Sequence, residues 1–113
     1  MFVISQSSSY KWPVSVEFPV DGGKTEKQTF DGEFKRLSQS RIDEVRKAVT
    51  DDLITEREFA KEVLVGWAGI VDSESGEVPF SERARDDLLN VPMVSNAVVM
   101  AFMNSLSGVK RKN

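Results

Sequence analysis

Two adjacent carboxylate pairs, Asp51-Asp52 and Asp86-Asp87, are the first places to look for acid–base chemistry, because two acids held close together can share a proton. Neighbouring residues on a helix point in different directions, so neither pair need converge on one substrate atom. Both also stand near expected helix starts, where acids are favoured for electrostatic reasons alone. A second candidate is Asp72-Ser-Glu-Ser-Gly-Glu77, whose alternating acids resemble a calcium loop. Its glycine falls one position early, and the place of the closing bidentate glutamate is taken by Arg83, so a solvated turn is the better reading. A third, Asp21-Gly22-Gly23-Lys24, has the glycines and lysine of a phosphate loop without its spacing. It leads from one strand into another rather than into a helix N-terminus that could hold phosphate, and reads as a hairpin turn.

The rest of the composition narrows the chemistry further. The 113 residues contain no cysteine and no histidine, so disulfides are impossible and zinc, copper and haem lose their usual ligands. Only all-oxygen sites for magnesium or calcium remain. Any general acid or base would have to be a carboxylate, lysine or tyrosine with a strongly shifted pKa. The chain is therefore expected not to be an enzyme, with no catalytic residue, cofactor or metal. A net charge of -3 argues against a nucleic-acid partner, since phosphate neutralisation needs clustered cations and the only such cluster is Lys110-Arg111-Lys112. With 40% hydrophobic and 29% charged residues, the composition is that of a soluble globular protein. No apolar run approaches the roughly 20 residues of a membrane span, and Met1-Phe-Val-Ile4 is too short for a signal peptide. No membrane partner is expected, and synthesis in the cytoplasm without export is the default.

The elements that must position any functional surface follow from periodicity. Val14, Val16 and Phe18 alternate with Ser15 and Glu17, and Trp12 continues the same face, which predicts a half-buried strand. Pro13 and Pro19 lack an N–H and place it at a sheet edge. Residues 25–34 form the return strand, more polar and less securely buried. Phe2 to Ile4 is a candidate third strand. Ser38 or Ser40 caps a helix carrying Ile42, Val45 and Val49, and a second helical segment runs from Leu53 to Val65, with a capping box at Thr55 and Glu58. Ser81 caps a third helix, and a fourth runs from about Pro92 to Leu106 with Gly108 as its stop. The expected fold is one α+β domain over residues 1–113: a lead at 1–10, an antiparallel hairpin at 11–35, about four helices at 38–107 and a flexible tail at 108–113.

Two features point to binding. Trp67 stands between Gly66 and Gly69, and either anchors a bend on the core or lies on the surface as a binding hot spot. The last helix is apolar over most of its circumference, so it is either central to the core or covered by a partner. Met93, Met100 and Met103 pose the same choice between core filler and an adaptable contact surface. The candidate partner-binding residues are Trp67, Val94, Val98, Phe102 and Met103, which form or support the surface.

With these residues in view, the chain resembles the tail assembly chaperones of long-tailed, siphovirus-type bacteriophages and prophages. The resemblance rests on Lys11-Trp-Pro-Val-Ser-Val16 with Asp21-Gly-Gly-Lys24, on Phe30-Asp-Gly-Glu-Phe-Lys-Arg-Leu37, on Val65-Gly-Trp-Ala-Gly-Ile-Val-Asp72 followed by Gly76 and Pro79-Phe80, and on Leu106-Ser-Gly108 with Lys112-Asn113. It spans most of the chain from Lys11 onward, and its specificity lies in the ordered series rather than in any one piece. The resemblance implies a non-structural protein of the infected or lysogenic host's cytoplasm, absent from the mature virion. Such a protein binds the tape measure protein and keeps it soluble while tail tube subunits polymerise around it. It further implies a longer form made by ribosomal frameshifting that recruits the tail tube protein, and a capacity for self-association. The alternative is a structural minor tail or connector component, which would persist in purified virions.

Overall fold

A computed structural model of the chain describes residues 1–108. Strand β1 (Ser9–Val20) and strand β2 (Lys24–Lys35) form an antiparallel hairpin in continuous register, from Ser9 opposite Lys35 to Val20 opposite Lys24. The expected core phase is the observed one. Val14 and Val16 are buried and Trp12 and Phe18 partly so, facing Phe30, Gly32 and Phe34 of β2. The other face carries Lys11, Glu17, Asp31 and Lys35, all exposed, as expected of an antiparallel sheet packed on one side. Residues 19–29 are exposed, so the tip of the hairpin extends beyond the packed body.

The third strand is not Phe2 to Ile4. Those residues have no strand pairing and lie exposed, Phe2 and Ile4 at 89% each. The strand that completes the sheet, in the order β1-β2-β3, is β3 (Leu64–Ala68). Val63 does end a helix, as expected, but Leu64 and Val65, read as its continuation, and Gly66-Trp67, read as a bend, belong to the strand. The short apolar run has β-branched residues on both sides of Leu64, and a vacant edge on β2 completes what local pattern alone left ambiguous. A register shift separates Glu33–Gly66 pairing from Phe34–Leu64 pairing, leaving Val65 as the extra residue. The bulge puts Leu64 and Trp67, three positions apart, on the same face of the sheet, where strict alternation would separate them. At Gly66 the strands approach closely: an added Cβ would lie 2.8 Å from Glu33 Oε1 and 3.1 Å from Glu33 Cβ, so a side chain there would displace the Glu33 side chain.

The described residues form four helices, α1 (Gln39–Thr50), α2 (Glu56–Val63), α3 (Glu82–Leu89) and α4 (Val94–Ser107); α2 and α4 pack on that face, and α1 and α3 pack against them. Three begin where a local cap dictates. Ser38 accepts from the Arg41 amide and Ser81 from the Ala84 amide, while Thr55 and Glu58 form a reciprocal capping box. α4 starts differently, with Met93 in the left-handed region at φ 75° and no side-chain cap, and ends at Gly108 as expected. Residues 109–113, read above as a frayed tail with a cationic cluster, lie outside the described residues.

Aromatic rings tie the layers together. Phe102 of α4 is fully buried, 5.7 Å from Phe34 of β2 and 5.9 Å from Phe59 of α2, and Tyr10 continues the series 6.2 Å from Phe34. Tyr10 Oη and Ser105 Oγ are hydrogen-bonded at 2.6 Å, fixing the C-terminal end of α4 on β1. At the surface, α1 and α2 are joined by Arg41, whose Nε and Nη2 donate to the two carboxylate oxygens of Glu62 at 2.8 and 2.6 Å.

Two predictions follow from this packing. Phe102→Ala should destabilise the fold by about 3–5 kcal/mol, read from denaturant midpoints, because it empties a site shared by three elements. The hydrogen bond from Arg41, opposed by partial burial and aided by its charge, holds the Glu62 carboxyl below its usual value. A depressed carboxyl pKa contributes stability above the ordinary carboxylate range, which is lost as pH falls through the lowered value. Glu62→Gln should therefore lower the melting midpoint slightly at pH 7 and flatten its fall on acidification below about pH 5.

Candidate partner-binding surface

The acidic pairs come apart in the fold. Asp51 follows α1 rather than opening a helix, and Lys47 one turn earlier pairs with it at 2.8 Å. Asp86 lies within α3 beside Arg85 at 3.2 Å and Lys61 at 3.7 Å. Among the described residues no group of three potential metal ligands comes together. Asp72 instead caps its own turn, accepting from the amides of Glu74 at 2.9 Å and Gly76 at 2.8 Å. No single helix among the described residues is long and apolar enough to cross a membrane.

Trp67 is half-buried and its ring is used structurally. It stacks edge-to-face with Phe80 at 4.9 Å, and its Nε1–H donates to the Val78 carbonyl at 2.8 Å. Gly69, at φ 87°, turns the chain out of β3, and residues 70–78 fold back as a small loop closed by hydrogen bonds between Val78 and Ile70 and between Asp72 and Gly76. Trp67 is thus the peg on which this loop hangs.

The other candidates divide between interior and surface. Val94, Val98 and Phe102 are 1%, 0% and 0% exposed, so in the folded monomer they support a surface but cannot form one. Their phase is set by the sheet and by α2, which together take the whole of that side of α4. Met103 is partly buried and lines a shallow groove with Val49, Phe59 and Val99. The open face of α4 is the flank that borders β1. Met93 and Met100 are 45% and 52% exposed, and with Ala97, Asn96 and Asn104 they line a groove of about 480 Å³ whose other wall is Ser15, Val16 and Glu17 of β1. Sequence reasoning named Met93 and Met100 as methionines of interest but left them, with Ala97 and Asn104, out of the candidate site. For Met100 the available signal was its angular position, across a helix of 3.6 residues per turn from Val98 and Phe102; Met93 precedes the helix.

Compared with protein-family models, curated proteins and solved structures, the chain matches none.

If Trp67 serves to hold the loop, Trp67→Phe should leave the protein folded while loosening residues 70–78. Losing one partly buried hydrogen bond is worth about 1 kcal/mol. The Val78 amide should then exchange several-fold faster in hydrogen-exchange NMR, with a melting midpoint well above that of Phe102→Ala. Unchanged Val78 exchange would remove the peg role.

Proposed function

We propose that this chain is a tail assembly chaperone of a long-tailed phage or prophage, a non-structural protein that binds the tape measure protein and keeps it soluble during tail tube assembly. The ordered series of motifs from Lys11 to Asn113 carries this reading. The surface of α4 supports it. Over Val94 to Ser107 the helix contains no charged residue, yet one side of it is solvent-exposed and bears methionines. Exposed helix faces of soluble domains ordinarily carry charge, and an uncharged one is suited to covering apolar partners of varied shape. In this reading the protein works in the host cytoplasm, a longer frameshifted form recruits the tail tube protein, and neither form remains in the virion.

Co-expression with the tape measure protein of the same phage is the direct test. The chaperone reading expects the tape measure protein to move from the pellet to the soluble fraction and to co-purify with this chain. It also expects mass spectrometry of purified virions to find no peptides of the chain. An insoluble tape measure protein despite folded chain, or stoichiometric peptides in virions, would contradict the reading; the second result would favour a minor tail or connector subunit.

A further inference from the structure

The dipeptide Asp-Gly occurs twice in the chain, at Asp21-Gly22 and at Asp31-Gly32. It is the pair most open to one intramolecular reaction, because glycine puts no side chain between its own nitrogen and the preceding carboxyl carbon. Both carboxylates stand in water, since Asp21 and Asp31 are exposed. What separates the two sites is the freedom of the backbone.

Gly32 is fixed from every direction. It is buried in the central strand, opposite Trp12 of β1 on one side and Trp67 of β3 on the other. A Cβ on it would lie 3.1 Å from Val14 Cγ2 and 3.4 Å from side-chain atoms of Leu64 and Phe34, so the strand has no room to turn there. Extended backbone also directs the Gly32 nitrogen away from the Asp31 carboxyl, and bringing the two together means breaking the ladder. Gly22 has none of these restraints. It sits in the loop Asp21 to Gly23, closed by the Val20–Lys24 pair, with φ 85° and with Gly23 at φ 73°. Among the described residues no turn or loop backbone hydrogen bond involves Asp21, Gly22 or Gly23, and a Cβ on either glycine would meet no non-neighbouring atom within 4 Å. The surrounding tip, residues 19–29, is exposed, so the loop can turn without moving the core.

We infer that Asp21-Gly22 is a site of spontaneous modification, in which Asp21 becomes isoaspartate through a cyclic imide, and that the sheet keeps Asp31-Gly32 from the same reaction. The Gly22 nitrogen bonds to Asp21 Cγ while the side chain is in its neutral acid form. The carboxyl hydroxyl and the amide proton leave together as water, and the ring is closed. A water molecule then opens it. Breaking the bond from nitrogen to Cγ restores aspartate, whereas breaking the bond from nitrogen to the main-chain carbonyl carbon leaves the chain running through Cβ and Cγ, with that carbonyl carbon as a free carboxylate. No oxidant, metal or enzyme enters. The loop gains one backbone carbon between Val20 and Lys24, and the change stays in the tip, which is tied down mainly by its own cross-strand pairing. This chemistry does not depend on the chaperone reading above.

Purified full-length protein is aged in neutral buffer at physiological temperature and then digested with trypsin, which separates the two sites by cutting after Lys24 and Lys27. Isoaspartyl peptides are labelled with protein isoaspartyl methyltransferase and radiolabelled S-adenosylmethionine. Label should accumulate with age in the Asp21 peptide, at least about tenfold above the Asp31 peptide, because a core strand opens far more rarely than an exposed loop. Asp21→Glu should abolish that label and keep the wild-type melting midpoint, since its longer side chain closes a larger ring much more slowly. Protein aged in urea, with the sheet dissolved, should be labelled at both sites. No label at Asp21 in the aged folded protein, or equal label at Asp31, would overturn the inference. Silence of Asp31 in urea as well would overturn its second half, because the neighbouring sequence rather than the sheet would then be what protects that site.

Discussion

Phe102 is the constraint on which the rest of the molecule depends. Its ring sits between Phe34 of the central strand and Phe59 of α2, so one side chain fixes the distance and rotation of α4 relative to both the sheet and the helical layer. A helix that is apolar almost all round has no preferred rotation of its own. Once Phe102 is seated, Val94, Val98 and Ala101 follow it inward, and Met100 is turned outward by helix geometry. The exposed side is thus a consequence of the core.

The same constraint explains the sheet. Phe34 must lie on the helix-facing side, which sets the phase of β2, and Leu64 joins it there through the bulge at Val65. The bulge then returns Trp67 to that side, where its indole holds Val78 and Phe80. Trp67 therefore serves the fold of the 70–80 segment first. The hairpin tip, residues 19–29, takes no part in this network and is exposed on both faces, so it is tied down mainly by its own cross-strand pairing.

What could be read from the sequence was what is decided locally. Ser38, Thr55 and Ser81 cap helices because a hydroxyl three residues from an amide needs nothing from the rest of the chain. The alternation of Val14, Val16 and Phe18 likewise names its own inward face. β3 was hidden because pairing with a strand about 30 residues earlier decides it, and Val63-Leu64-Val65 suits a helix end as well as a strand. The binding candidates were divided for the same reason. Val94, Val98 and Phe102 are apolar in sequence and core in space, while Met93 and Met100 are equally apolar and outside. Helical phase separates Met100 from Val98 and Phe102, but the packing of Phe102 on Phe34 and Phe59 decides which of the two sides faces in.

The central claim is that Phe102 turns one side of α4 into the core and leaves the side bearing Met100 as the proposed binding surface. Hydrogen–deuterium exchange of the protein alone and mixed with a tape measure protein, the proposed partner, tests it most directly. The account predicts added protection in peptides covering Met93 to Ser107 and Trp12 to Glu17, with none at the hairpin tip around Asp21 to Lys27. Protection confined to residues 70–80 or to the hairpin tip, with α4 unchanged, would contradict it.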